Sequence, residues 1–92
     1  MIKSFKHKGL KRFHERGDRS GLDPALCETI NNILDLLHVA ASEQDLALPR
    51  YRLHPLKGAR QGCWAVTVRA NWRIVFRFHD GDAYDVELLD YH

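Results

Sequence analysis

Ninety-two residues, 45% hydrophobic and 28% charged with a formal net charge of +2, suffice for one compact core and not for two, so residues 1–92 are expected to form a single domain. No run approaches the ~20 apolar residues of a membrane span, and the basic start MIKSFKHKG is followed by no apolar stretch of a secretory leader, so a cytoplasmic chain without membrane association is expected. Cys27 and Cys63 lack CxxC spacing and the six histidines are scattered, which argues against a disulfide framework, a redox pair or a metal site.

Ile2 to Phe5 reads as a short first strand, and Lys6 to Glu15 as a basic helix with Leu10 and Phe13 inward. Gly17 to Gly21 is a break. Asp23 before Pro24 has the character of an N-cap followed by proline at the first helical position. Leu26, Ile30, Ile33, Leu34, Leu37 and Ala41 follow at helical spacing and predict a second helix ending near Ala41, and Pro49 closes the helical half.

Beyond it the pattern changes to period two, as in strands covered on one face. Trp64, Val66 and Val68 share one parity, Trp72, Ile74, Phe76 and Phe78 another, and Tyr84, Val86 and Leu88 continue the apolar set. A three-residue loop at His79-Asp80-Gly81 would pair Phe78 with Asp82 and Phe76 with Tyr84. The same parity in the preceding hairpin sets Val68 opposite Ile74 and Arg69 opposite Arg73. It also sets Glu87 opposite Arg73 and Asp85 diagonal to Arg77, while Arg69, Lys57 and Arg60 gain no acid. The two tryptophans share parity with the core and are expected to pack rather than to stack on a base.

The small net charge hides four blocks. Residues 1–19, 20–48, 49–77 and 78–92 carry +5, −5, +7 and −5. Basic and acidic elements that neutralise each other across the fold would account for this, and so would a basic surface that meets phosphate.

The stretches MIKSFKHKGL, RLHPLKG (residues 52–58), VRANWRIVFRF (68–78) and GDAYDVELLDYH (81–92) resemble the HigB toxins of bacterial toxin–antitoxin pairs, within the RelE and ParE superfamily. The likeness covers most of the chain outside its helical middle. It implies an α+β fold, the RelE-like microbial RNase fold, with two N-terminal helices packed on a curved antiparallel sheet. It further implies a metal-independent, cofactor-free endoribonuclease that cuts messenger RNA in the A site of the 70S ribosome. The implied partner is a HigA-type helix-turn-helix antitoxin, and operator DNA would be met only through the toxin–antitoxin complex. Matching motifs carry over His54 and Lys57, Arg69, Asn71 and Arg73, and Asp90, Tyr91 and His92.

Metal-free RNA cleavage uses the ribose 2′-hydroxyl as nucleophile on the adjacent phosphate. It needs a base for that proton, an acid for the departing 5′ oxygen and cations for the charge growing on phosphorus oxygens. His54 and His92 are candidates for base and acid, since imidazole exists in both forms near neutrality. Tyr91 is suited to orient the 2′-hydroxyl or stack on a base, Asp90 to position His92 or an arginine, and Arg73 to serve as the transition-state cation, with Lys57 beside them. Lys3, Lys8, Lys11, Arg60, Arg69 and Asn71 are the expected ribosome- and RNA-binding positions. Each has a bland alternative: a histidine before proline more often caps a strand end, a terminal histidine is usually mobile, a lysine beside glycine is usually a solvated turn, and a strand arginine opposite glutamate is usually paired. Two rival functions remain open at this point, a ParE-like toxin directed at gyrase and an RNA-binding domain without catalysis.

Overall fold

The first helix begins at a histidine. In the structure, a computed structural model that describes residues 1–91, His7 has extended backbone angles (φ −100°, ψ 113°), and its Nδ1 accepts from the Leu10 amide at 3.1 Å. Helix α1 therefore spans Lys8–Arg16, two residues later than the basic pattern suggests, and buries Leu10 and Phe13 as expected. Gly17 closes it at φ 70° with its amide on the Phe13 carbonyl at 2.9 Å.

The Asp23-Pro24 signal is used as read. The Asp23 carboxylate accepts from the Ala25 amide at 2.9 Å, and Pro24 opens a 3₁₀ turn, Pro24–Leu26, that leads into α2, Cys27–Val39. Cys27, Ile30, Ile33, Leu34 and Leu37 form the buried stripe of α2. The helix stops short of Ala41 because Ala40 turns extended (ψ 139°) and Asp45 draws the next amides away, its Oδ2 accepting from Ala41 at 2.8 Å and from Ser42 at 3.4 Å. Both helices lie on one face of a four-stranded antiparallel sheet in the order β1 (His54–Pro55), β2 (Trp64–Arg69), β3 (Trp72–His79) and β4 (Asp82–Asp90). Among the described residues no helix is long and apolar enough to cross a membrane.

Two irregularities bend this sheet and change the register expected from parity. The β3–β4 turn has two residues, Asp80 and Gly81, both with positive φ (49° and 80°), so His79 stands opposite Asp82 and Phe78 opposite Ala83. A bulge at Asp85 (φ 55°) then shifts the ladder, which sets Val75 opposite Glu87 and Arg73 opposite Leu89. The expected Glu87–Arg73 pairing is thereby overturned, and Ala83, not Tyr84, joins the core. In the β2–β3 hairpin Val66 stands opposite Ile74 and Thr67 opposite Arg73, and a second irregularity between Thr67 and Arg69 brings Arg69 opposite Trp72. Arg69 and Arg73 are therefore not cross-strand neighbours.

The Asp85 bulge also explains the first segment. Ile2 and Phe5 pair with Ala83 and Val86 only as two isolated parallel bridges, instead of the continuous strand read from the sequence. Between them the Ser4 side chain intervenes, its Oγ accepting from the displaced Asp85 amide at 2.8 Å. The segment nevertheless covers the open edge of β4, with Lys3 donating to the Ala83 carbonyl at 2.7 Å and Lys6 to Val86 at 2.9 Å. Between helices and sheet lies the core, where Leu10, Ile30, Ile33, Leu37, Leu46, Val66, Ile74, Phe76 and Val86 are fully buried and Trp64 and Trp72 pack at its margin. Both cysteines are buried free thiols.

Candidate active site

Strand alternation sends Ala65, Arg73, Val75, Arg77 and Leu89 to the face that the helices leave uncovered. Cys63, Ala65 and Val75 are buried there with Leu56 and Leu89 against them, a small apolar floor. Functional side chains rise around it in cross-strand rows. One row runs His54, Ala65, Val75, Glu87, and the next Thr67, Arg73, Leu89. By sheet spacing, the His54 and Arg73 backbones stand roughly 12 Å apart, a gap that two long side chains and a nucleotide phosphate can close.

Arg73 is half-buried and held by main chain rather than by an acid. Its Nη1 donates to the Ala70 carbonyl at 2.5 Å and to Trp72 at 3.2 Å, and no carboxylate pairs with it among the described residues. Ala70 accepts this role in a strained turn, at φ 50°. The result is a guanidinium fixed in place with no acid paired to it among the described residues. Opposite it, Thr67 Oγ1 is buried without a hydrogen-bond partner among the described residues.

His54 is exposed on β1, and its Nδ1 lies 2.8 Å from the carbonyl of Arg52, itself at φ 49°. A carbonyl can only accept, so neutral His54 carries its proton on Nδ1 and presents the Nε2 lone pair outward. Lys57 is exposed in the following loop, at the cap of a 3₁₀ turn. Asp90 ends β4 opposite Trp72, and Tyr91 is tied to the hairpin by its amide on the Asn71 carbonyl at 2.8 Å. Arg69 and Asn71 are exposed at the same end of the sheet. His92 lies outside the described residues.

Glu87 is the residue that sequence reasoning placed wrongly. Its side chain, 15% exposed, receives Arg60 Nη1 at 2.5 Å, so Arg60 does have an acid partner. That hydrogen bond raises the Arg60 pKa above its ordinary value against the opposing effect of desolvation, with the charge of Glu87 and the neighbouring Tyr91 phenol and Cys63 thiol adding to it. Only the true register, with Glu87 across from Val75, brings it under the loop that carries Arg60. The predicted contact of Asp85 with Arg77 is present at 3.7 Å.

Three of the expected RNA-binding lysines lie elsewhere. Lys3 sits beside Ala83, at the opposite end of β4 from Asp90, and Lys8 and Lys11 lie on α1. Lys3 and Lys11 line a cavity of about 500 Å³ with His14 and His38, whose rings are 5.1 Å apart. Burial, and then the charge of His38, push the His14 pKa below 6.5, against the smaller pull of Asp35 and Glu15.

The same helices-on-sheet arrangement occurs in the YoeB/ParE toxin of Agrobacterium tumefaciens, with a TM-score of 0.57 and 17% identity over 100% of this chain and 99% of that one. The two chains thus share one fold. A family model described as the RelE-like toxin of the type II toxin–antitoxin system HigB matches residues 3–92, and the chain belongs to that family. It is 51% identical to the Endoribonuclease HigB of Proteus vulgaris over the full length of both chains. Toxin HigB-1 of Vibrio cholerae serotype O1 is 32% identical over 96% of this chain and 95% of that one. A toxin of a type II system has an antitoxin as its partner.

Proposed function

We propose that this toxin is an endoribonuclease that enters the A site of the 70S ribosome and cuts messenger RNA there, arresting translation until a HigA-type helix-turn-helix antitoxin neutralises it. The observation that carries the reading is Arg73, rigidly held by two carbonyls and free of any acid among the described residues. A structural ion pair would have neutralised it; a cation meant for a transition state must keep its charge.

The chemistry follows from the neighbours. His54, with its proton held on Nδ1, takes the 2′-hydroxyl proton on Nε2. The 2′ oxygen attacks phosphorus, Arg73 meets the negative charge growing on the non-bridging oxygens, and His92 protonates the departing 5′ oxygen, leaving a cyclic phosphate. Lys57 adds positive charge on the same side, Asp90 positions the terminal imidazole, and Tyr91, anchored through Asn71, orients the ribose or stacks on a base. Arg60, Arg69 and Asn71 hold the message at the sheet, whereas Lys3, Lys8 and Lys11 meet ribosomal phosphates from the helical side. Operator DNA is met only through the antitoxin complex, and the site of action is the cytoplasm. The test is to induce the protein in cells and map messenger RNA 5′ ends. Cuts in phase with the reading frame are expected; intact messages in growth-arrested cells would sink the reading.

A further inference from the structure

The uncovered face continues past the residues just described. Four residues along β3 from Arg73, and on the same face, Arg77 borders a cleft of about 270 Å³ together with Lys6, Ala59, Arg60 and Cys63. At strand rise this lies about 13 Å from Arg73, so the cleft and the scissile phosphate are different places. We propose that this cleft binds a second backbone phosphate of the same RNA strand through Lys6 and Arg77 and so sets the register in which the message crosses the site. The inference rests on the ribonuclease reading above.

Charge and geometry carry it. Lys6, Arg60 and Arg77 face two acids, Glu87 and Asp85, and Glu87 is taken by Arg60 through Nη1. Lys6 has no ion-pair partner among the described residues. Arg77 meets Asp85 with Nε 3.7 Å from Oδ2 and with the side chains 47% and 42% exposed, a contact too loose and too wet to satisfy the guanidinium. Its Nη1 lies over Gly62 (φ 93°), where a Cβ would come within 3.1 Å of it. The bare glycine thus leaves room for the guanidinium at the cleft, and Lys6 is held at its rim by the hydrogen bond from its backbone amide to the Val86 carbonyl. A planar fork and an ammonium around a small polar cleft suit a phosphodiester oxygen. Between this cleft and Arg73 the floor of Cys63, Ala65 and Val75 is apolar, as a surface crossed by sugar and base should be.

The experiment uses 70S ribosomes programmed with synthetic messages that carry one neutral methylphosphonate at a time at each linkage flanking the cut. Single-turnover cleavage is followed against toxin concentration for the parent, Arg77→Gln and Lys6→Gln. Arg77→Gln is expected to raise the half-saturating concentration roughly tenfold, as loss of a charge-assisted hydrogen bond does, while the saturating rate stays at the parent value. Its log–log salt slope should fall by about 0.7, one phosphate contact on a single strand. One methylphosphonate position should produce the same loss in the parent and none further in the variant; Lys6→Gln, exposed and unpaired, gives the same pattern without risk to the fold. A parent that cuts, with variants unchanged in half-saturation and slope or additive with every methylphosphonate, overturns the second site alone. A parent that leaves both ribosome-bound and free message intact overturns the ribonuclease reading, and this site with it.

Discussion

The two faces of the sheet are built to opposite rules. On the helical face Phe76, Ile74, Val66 and Val86 are sealed beneath α1 and α2, in a core with no buried charged residue among the described residues. On the other face the buried apolar floor among the described residues is Cys63, Ala65 and Val75, and around it stand guanidinium, ammonium and imidazole groups, with Arg73 held by two backbone carbonyls, His54 by one and Lys57 exposed. Hydrophobic burial scales with area, so stability belongs to the first face, and fixed charge near a low apolar floor is what an RNA phosphate needs, so chemistry belongs to the second. The contrast teaches that substitutions should divide cleanly between unfolding the toxin and disarming it.

The largest effect that would break this division comes from the chain end. Removing Tyr91 and His92 should abolish toxicity, while the contact that it forfeits among the described residues is a backbone hydrogen bond, Tyr91 to Asn71, worth about 1 kcal/mol. Growth assays beside a melting curve check it: arrested growth from the truncated chain would move the proton carriers to His54 and α1. On the opposite face, Phe76→Ala should cost about 3–5 kcal/mol of folding free energy, since Phe76 is fully buried, and lose toxicity only through unfolding. Denaturant unfolding measures the cost, and a variant that stays folded yet fails to cut would show that the faces are coupled.

The smallest effect is a pH dependence at the edge of the helical face. His14 has its folded pKa lowered, first by burial and then by His38, so the folded state resists a proton that the unfolded chain accepts. Its contribution is therefore complete above 6.5 and is lost as pH falls through the lowered folded value. Urea midpoints above and below 6.5 should drop for the parent and drop less for His14→Gln; equal drops would assign the loss to other groups.

How much of this is legible in the sequence differs between the faces for a physical reason. The apolar stripe of α2, the Asp23-Pro24 entry and the inward parity of β2 and β3 depend on local periodicity, and the structure follows them. The partners of Arg60 and Arg73 depend on register, which two bulges alter. The bulge at Asp85 occurs at a non-glycine residue with positive φ, for which composition gives no sign. The Asp80-Gly81 pair, by contrast, is the ordinary mark of a two-residue turn and would have corrected half of the register error. Arg77 is read only as a partner of Asp85, and its pairing with Lys6 is not legible because only the folded edge brings residue 6 beside the sheet.

Everything proposed for the uncovered face turns on an arginine whose charge is held in place and left unspent. Single-turnover cleavage of a ribosome-bound message by Arg73→Ala, at saturating toxin, measures that directly. The expected result is a rate lower by about 10²–10³, equivalent to ~3–4 kcal/mol of transition-state stabilisation, with ribosome binding and the melting temperature near those of the parent. Cleavage at the parent rate would contradict the account and return Arg73 to the role of a strap on its own hairpin.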